Sequence, residues 1–380
     1  MVALVTFGVG YLMRPLGAIV LGAYMDRKGR RKGLILTLAL MAAGTLSIAV
    51  TPSYATIGMA APLIVIAGRL VQGLSAGAEF GGVAIYLSEI ATPGNRGFYC
   101  SWQGVSQQVA VVFAALFGVA LTWFVSPQQM ASWGWRIPLF AGLLALPLIL
   151  WLRHSLQETE AFRHSRPVQS IGEVLQVLAA NWKVVANGIG LAAMTTCTFY
   201  LITAYTPTFA RQTLNLPANA VFLVTMLVGI SNLIWLPIGG ILSDRIGARP
   251  IMRAVTISTV VIAYPAMLWL VAEPSAGRLI SVFLLYSAWF GLYYGAMTPL
   301  LAEVMPREVR TTGYSFAFVT ATAVLGGFTP AISTFLIQIS GNRAAPALWL
   351  MLAASLSLCA LWLLPSLISA DARLRPAPAE

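Results

Sequence analysis

Two arginines, Arg14 and Arg69, and one acid, Glu79, lie inside long apolar segments of this 380-residue sequence. A charged side chain at the centre of a membrane-spanning helix costs about 2.5 to 3.5 kcal/mol on insertion scales, so each of the three needs a partner. A guanidinium group matches a carboxylate bidentately and stays charged at any physiological pH. We therefore expect Arg69 and Arg14 to bind a carboxylate-bearing ligand. The alternative is that each arginine bonds a backbone carbonyl or packs against the other half of the protein.

Glu79 is the only one of the twelve acidic residues that lies deep in an apolar segment. This position makes it the candidate for carrying a proton, because a buried carboxyl binds or releases its proton according to the charges around it. The alternative is a fixed ion pair with an arginine. Arg69 is not that arginine, because ten residues of helix separate the two by about 15 Å.

Amide and hydroxyl groups in the apolar segments are further candidates for lining a cavity. Gln72 follows Arg69 by one turn, and Gln103 and Gln107 share one helix face under the i, i+4 rule. A bare amide is costly in lipid, which slightly favours a cavity over interhelical hydrogen bonds. Weaker candidates, each as much a packing or hydrogen-bonding residue as a ligand, are Tyr200, Asn232 and Tyr294.

A ten-residue pattern, Gly-x-x-x-Asp-Arg-x-Gly-x-Arg, occurs at residues 22–31 and again at residues 240–249, each time at the end of an apolar segment. Downstream of each copy an acid and an arginine lie seven residues apart, as Glu89 with Arg96 and as Glu303 with Arg310. Such duplication is typical of transporters whose two halves rock about a central site.

We interpret the repeated residues as a latch between the halves. An aspartate in a short basic loop at a helix junction can pair with a helix dipole and with arginines of the other half. A role in topology alone would explain the basic residues but not the repeated Asp and Gly. The residues assigned to gating are Asp26, Arg27, Gly29, Arg31, Glu89, Arg96, Asp244, Arg245, Glu303 and Arg310.

The composition predicts an all-α, polytopic membrane protein, because 58% of the residues are hydrophobic and only 9% are charged, against about a quarter charged in soluble domains. Each span needs about 20 mostly apolar residues. The sequence predicts eleven spans, at residues 3–24, 34–51, 58–86, 98–125, 136–152, 182–208, 218–242, 251–271, 279–301, 313–338 and 346–367.

The distribution of basic residues predicts the orientation in the lipid bilayer. Of 23 lysines and arginines, seventeen fall in the loops and the tail on the side of the repeated motifs, and four fall on the other side. Basic loops mark the cytoplasmic side, so the hinge motifs and the C-terminus are expected there, in the inner membrane of a cell. The net charge of +11 therefore points to topology, and we expect no nucleic-acid partner.

The repeat also predicts the domain organisation. Residues 1–152 form an N-terminal bundle of five spans, 153–181 a cytoplasmic linker, 182–367 a C-terminal bundle of six spans, and 368–380 a cytoplasmic tail. In the second half two spans precede Asp244, whereas in the first half one span precedes Asp26. We therefore expect that a first helix is missing. Either the chain is a truncated gene product or its true start lies upstream.

Several runs of sequence resemble the major facilitator superfamily and, within it, the metabolite:proton symporters. The resemblance covers nearly the whole chain and is carried by residues 14–17, 69–73, 134–138 and 156–159. Three longer runs look like the citrate and tricarballylate proton symporters, namely residues 86–95, 194–200 and 326–334. The sequence departs from the family pattern at Ala78 and Ala248, and in lacking the first of twelve helices.

The resemblance implies a major facilitator fold of two pseudo-symmetric bundles and proton-coupled import of citrate or a similar tricarboxylate by alternating access. It implies no cofactor, no metal site, no enzyme activity and a monomeric carrier. Because the arginines fit any carboxylate, a dicarboxylate, shikimate or betaine is the next candidate substrate. A different class also stays open, in which the chain is a sensor or a carrier that no longer transports.

Overall fold

The computed structural model describes residues 2–155 and 170–374, and within these ranges the protein is helical with no strand. We number the principal helices in chain order. They are α1 Val2–Lys28, α2 Arg30–Ala49, α3 Ala60–Ile90, α4 Arg96–Phe124, α5 Ile137–Leu144, α6 Leu146–Ser155, α7 Ile171–Ala180, α8 Trp182–Ile202, α9 Ala218–Ile246, α10 Ala248–Ala272, α11 Ala276–Val304, α12 Arg310–Ala321, α13 Thr329–Ser340 and α14 Pro346–Leu374.

Nine helical segments within the described residues are long and apolar enough to cross a bilayer. The predicted spans 3–24 and 98–125 are helices α1 and α4, which are not among the nine, so the count of eleven stays a prediction. These two helices are the ones that pack most extensively across the halves, α4 on α9 and α1 on α12, and they carry an arginine and glutamines of this interface.

The predicted spans 182–208 and 313–338 each contain an interruption of the regular α-helix. The first, 182–208, ends at Ile202 and is followed by the helical turn Thr206–Thr208, which contains Pro207, and by the π-helical turn Phe209–Thr213. The second, 313–338, is divided between α12 and α13 by the π-helical turn Thr322–Gly326. Pro330 at the start of α13 cannot continue a helix from the preceding residues.

Glycines bring the central helices into backbone contact. In the first half, Gly17 of α1 packs on the Leu74 carbonyl of α3. In the second half, Gly239 of α9 packs on Gly291 of α11, and between the halves Gly97 of α4 meets Gly240 of α9. A larger side chain at these positions would separate the helices, as is usual where small residues form the contact between membrane helices. The glycines therefore set the register of each bundle and of the contact between bundles.

Arg136, in the run at residues 134–138, has a structural role. Its Nε donates to the Ala49 carbonyl at 3.1 Å and its Nη2 to the Thr51 carbonyl at 2.6 Å. The guanidinium thus satisfies free carbonyls at the C-terminal end of α2, where a positive charge also complements the helix dipole.

Part of the predicted linker is helix α7, which begins at the cap residue Ser170. Its Val174 and Leu178 are buried in a small cluster with Ala23 of α1 and with Val185 and Val309 of the second half. Helix α7 therefore contacts both halves next to the first hinge motif. Residues 156–169 of the predicted linker and 375–380 of the predicted tail lie outside the described residues.

Candidate functional site

The two arginines approach each other in the first bundle. Helices α1 and α3 run parallel, with Gly17 against Leu74 and Gly77 against the Arg14 carbonyl. These contacts place Arg14 level with the segment 71–77 of α3, two to eight residues beyond Arg69, or about 3 to 12 Å along the axis. The side chains reduce this separation, because the Arg14 guanidinium lies over Tyr11, one turn back, and that of Arg69 reaches forward to Gln72.

Arg14 has an unfilled hydrogen-bonding position. Its Cζ lies 3.9 Å from the ring centroid of Tyr11, and its charge acts on the hydroxyl of Tyr200 in the second half. Its Nε is buried and makes no hydrogen bond within the described part of the chain. A buried N–H without an acceptor is costly, and a carboxylate oxygen would satisfy it.

Arg69 is exposed and is oriented by Gln72. Its Nη1 donates to Gln72 Oε1 at 3.2 Å, and Gln72 Nε2 donates to Thr45 Oγ1 of α2 at 2.8 Å. Both ends of the Gln72 amide are thus engaged, so in this conformation Gln72 positions Arg69. The sequence predicts that Gln72 binds the ligand, and in this structure Gln72 contacts Arg69, through which it would affect a bound ligand.

Glu79 is half-buried and lies ten residues beyond Arg69 in α3, or about 15 Å toward the hinge motifs. It lies two residues beyond Gly77, which packs on the Arg14 carbonyl. Its neighbours Gly77 and Gly81 pack on α1 and on α12. A residue midway between two such contacts points to the other side of the helix.

The predicted residue Gln103 bonds within the first half, and a neighbouring glutamine, Gln108, bonds to the second half. Gln103 Nε2 donates to the Phe80 carbonyl at 2.7 Å, and its Oε1 is buried and makes no hydrogen bond within the described residues. Asn232 Nδ2 of α9 donates to Gln108 Oε1 at 3.0 Å, and Asn232 Oδ1 accepts from Ser287 at 2.6 Å. Asn232 is therefore a structural residue, and Gln107 is half-buried beside this contact.

Aromatic rings fill the interface between the two halves, on the side of the arginines that faces the hinge motifs. Phe80 of α3 stacks on Phe318 of α12 at 5.1 Å between centroids, and Phe318 meets Tyr294 edge-on at 6.4 Å. The Tyr294 hydroxyl is buried and makes no hydrogen bond in the described residues. The rings separate the level of the arginines from the hinge motifs.

The first hinge motif caps a helix of the opposite half. Asp26 Oδ2 accepts hydrogen bonds from the backbone N and the Oγ1 of Thr312, at 3.0 and 2.7 Å, at the start of α12. Asp26 Oδ1 accepts from Arg30 Nη1 at 3.1 Å, and Arg30 Nη2 reaches Glu89 Oε1 at 3.2 Å. Asp26 and Arg30 are each 5% exposed. We call Asp26, Arg30, Glu89 and Thr312 the first latch.

The second hinge motif makes the pseudo-symmetric contact. Asp244 Oδ1 accepts from the backbone N of Gly97 at 2.7 Å, and its Oδ2 accepts from that of Phe98 at 2.9 Å, at the start of α4. The position equivalent to Arg30 is Ala248, so no arginine of this motif joins the contact. We call Asp244, Gly97 and Phe98 the second latch. A carboxylate at a helix N-terminus satisfies its free N–H groups and complements the dipole.

The other predicted gating residues occupy different positions. Gly29 has a φ of 103°, which favours glycine and reverses the chain between α1 and α2. Arg27 and Arg245 are exposed, so the buried arginine of the first motif is Arg30, which the sequence analysis did not assign. Its spacing of four residues from Asp26 was the available signal. Of the remaining predicted residues, Arg96 and Glu303 are exposed, and Arg31 and Arg310 are half-buried.

A cavity of about 970 Å³ lies beside the second latch, between the hinge-motif ends of the two halves. Its lining includes Glu89, Arg96, Asp244, Glu303 and Arg310. The acids and arginines predicted for gating therefore lie around one space, although only Glu89 and Asp244 take part in the two latches.

The sequence profile of the Major Facilitator Superfamily matches residues 1–330. The citrate-proton symporter of Salmonella typhi is 55% identical over 360 residues, which are 95% of this chain and 83% of that protein. The citrate-proton symporter of Klebsiella pneumoniae is 52% identical, with coverage of 95% and 81%. These relatives agree with the resemblance carried by the sequence motifs.

Solved structures with low sequence identity share the fold. The xylose transporter XylE from E. coli, in a partially occluded inward-open conformation, has a TM-score of 0.70 at 16% identity and covers 96% of this chain and 87% of that one. The E. coli fucose:proton symporter has a TM-score of 0.68 at 17% identity, with coverage of 94% and 88%. The chain therefore belongs to the major facilitator superfamily and is a multi-pass membrane protein with the all-helical fold of that family.

Proposed function

We propose that this protein is a secondary transporter that carries citrate or a related tricarboxylate together with protons. The observation that carries the proposal is the pair of intramembrane arginines, Arg14 and Arg69, whose side chains extend toward each other, with Arg14 Nε buried and making no hydrogen bond within the described residues. Relatives at 52% and 55% identity are named citrate-proton symporters, which supports the same substrate. Citrate has three carboxylates, so two of them can bind the two arginines.

Each polar residue then has a role in the cycle. Arg14 and Arg69 bind carboxylates, with Gln72 orienting Arg69. Glu79 carries the proton, since it lies in the same helix as Arg69 but closer to the hinge motifs. Because the two charges are separated along α3, anion and proton are bound at different depths, and the coupling between them passes through movement of this helix.

The two latches close the end of the protein that carries the hinge motifs. Binding of substrate and proton would favour the arrangement in which both aspartates leave the opposite half, so that the site opens at that end. We assign this end, and the C-terminus with it, to the cytoplasm of the cell because most of the basic residues lie there. The carrier is proposed to act as a monomer in the inner membrane.

The test is uptake of labelled citrate into cells that lack a citrate carrier, with and without a protonophore. We expect uptake that the protonophore abolishes and that unlabelled tricarballylate inhibits more strongly than shikimate or betaine. Stronger inhibition by shikimate or betaine would assign the site to another carboxylate. Absence of uptake by well-inserted protein would support a sensor or an inactive carrier.

Substitution of Arg69 tests the site itself. We expect Arg69→Ala to abolish uptake while membrane insertion stays normal, because the carboxylate loses a charged, bidentate partner. Arg343→Ala is the matched control, since Arg343 is an exposed arginine of the second half. Unchanged uptake by the Arg69 variant, at equal amounts in the membrane, would remove Arg69 from the binding site.

A further inference from the structure

Tyr11 joins the two halves far from the latches. The hydroxyl of Tyr200 in α8 donates a hydrogen bond to that of Tyr11 in α1 at 2.8 Å, and the rings meet edge-on at 5.6 Å between centroids. Both side chains are buried, at 8% and 7% exposure. Fifteen residues of α1 separate Tyr11 from Asp26, or about 22 Å. The tyrosine pair and the first latch are therefore two distinct contacts of α1 with the second half.

The same Tyr11 ring supports Arg14. The guanidinium lies over the ring face at 3.9 Å, a position in which the aromatic quadrupole attracts a cation. The contact with the ring does not satisfy Arg14 Nε, which makes no hydrogen bond within the described residues. Tyr11 thus contacts the proposed substrate arginine with its face and the second half with its hydroxyl.

A break in helix geometry forms the seat of the tyrosine pair. The π-helical turn Thr322–Gly326 and the next residue place two glycines against the rings. A Cβ added to Gly326 would lie 2.9 Å from Tyr200 Cδ2, and one added to Gly327 would lie 3.3 Å from Tyr11 Cγ. Turns of this kind are frequent at functional sites. The arrangement couples the tyrosines to the break between α12 and α13.

From these contacts we propose that Tyr11 is a positioning residue, which aims Arg14 at the substrate and transmits its occupancy to the second half through Tyr200. The inference rests on the proposed function, because it takes the ligand of Arg14 to be a substrate carboxylate. The ring holds the guanidinium over its face. A bound carboxylate competes for that cation, and the movement of Arg14 alters the ring that carries the hydrogen bond to Tyr200.

The proposal separates two properties of Tyr11 that can be removed independently. Tyr11→Phe keeps the ring under Arg14 and deletes the hydrogen bond between the two tyrosines. Tyr200→Phe deletes the same bond and also the interaction of its hydroxyl with Arg14. We expect each to lower the maximal rate of citrate uptake roughly two- to tenfold, the effect of one lost hydrogen bond, with little change in KM. The double variant should be no slower than the slower single variant, because both remove one bond. Tyr11→Leu removes the ring as well and should also raise KM about tenfold or more.

Tyr24→Phe is the control, because Tyr24 is another partly buried tyrosine of α1 and lies outside this cluster. Uptake rates are measured over a range of citrate concentrations and normalised to the amount of protein in the membrane. If the wild type takes up citrate normally but the effects of the two Phe substitutions multiply, the role of Tyr11 is overturned and the proposed function is not. The same holds if KM is unchanged in Tyr11→Leu. Absence of citrate uptake in the wild type would overturn the proposed function and this inference together.

Discussion

The two latches perform the same contact with different chemistry. In the first, Asp26 is almost fully buried and is bonded both to the start of α12 and to Arg30, which continues to Glu89. In the second, Asp244 is half-buried and its two resolved bonds are to backbone N–H groups at the start of α4. The difference comes from one position of the repeat, which is Arg30 in the first half and Ala248 in the second.

This asymmetry indicates that the two halves are not held together equally. The pairs of Arg30 with Asp26 and Glu89 lie within the first half and hold the Asp26 carboxylate in place, whereas two hydrogen bonds join the halves in each latch. A hydrogen bond to a charged group contributes about 1.5 to 3 kcal/mol, and it is stronger in a buried, low-dielectric site. We therefore expect the buried first latch to hold the hinge-motif end closed more strongly than the half-buried second latch.

The largest expected effect is that of Asp26→Asn. The amide keeps the shape of the carboxylate but leaves Arg30 with Glu89 alone and weakens the cap of α12. Weakening the two charge-assisted bonds to Thr312 removes about 3 kcal/mol from the closed conformation, which corresponds to a roughly 100-fold fall in its population relative to the open one. We expect initial citrate uptake at low substrate concentration to fall by a similar factor, measured at equal membrane expression.

The control for this prediction is the same substitution in the second latch. Asp244→Asn should lower uptake only about tenfold, because its bonds are to backbone N–H groups and it has no buried arginine partner. Equal losses in the two variants would show that the burial of the first latch does not decide its strength.

A smaller effect is expected from Thr312→Val, which removes the hydroxyl bond to Asp26 but retains the backbone N–H bond. One charge-assisted bond is lost, so uptake should fall roughly tenfold. The neighbouring Thr311 is a matched control, because its Oγ1 is buried and makes no hydrogen bond within the described residues. Thr311→Val should therefore leave uptake nearly unchanged. A loss in Thr311→Val as large as in Thr312→Val would assign the effect to packing.

The smallest effect is expected from Ala248→Arg, which restores the missing arginine of the repeat. The new guanidinium can pair with Asp244 and with the exposed Glu303, and a partly exposed pair contributes about 0.2 to 1 kcal/mol. We expect the turnover rate to fall roughly two- to fivefold as the second latch tightens. Ala248→Gln, with similar reach and no charge, is the control. If Ala248→Arg slows uptake equally in an Asp244→Asn background, the arginine does not act through Asp244.

The aspartates of the two latches could be selected from the sequence because their motif is repeated, and their role in gating stays a prediction. Duplication identifies Asp26 and Asp244 without knowledge of the packing, and the basic loops follow the same spacing. It could not distinguish Arg30 from Arg27 and Arg31, because which one is buried depends on the turn at Gly29 that begins α2. A repeated pattern indicates which residues share a role, and the local backbone conformation determines which of them are in contact.

The central site was less predictable. The intramembrane position of Arg14 and Arg69 was evident from hydropathy, but their relative depth follows from glycine contacts between α1 and α3 that no sequence period reveals. Tyr11 was missed because an aromatic residue in an apolar helix is usually a packing residue. Gln108 was not selected because its partner, Asn232, lies 124 residues away on another helix.

The most direct test of the account is the distance across each latch when substrate is added. Spin labels at Lys28→Cys and Glu308→Cys report on the first latch, and labels at Asn95→Cys and Ile246→Cys on the second; all four residues are exposed. Cys359, the exposed native cysteine, is replaced by serine in both proteins, and Cys100 and Cys197 are buried. Electron–electron double resonance then gives both distances in the reconstituted carrier.

We predict that citrate at acidic pH lengthens both distances together, and that Asp26→Asn lengthens both without citrate while Asp244→Asn does so to a smaller extent. Distances that stay unchanged while the same preparation transports citrate, or one latch opening while the other stays closed, would contradict the claim that breaking these two contacts opens the site.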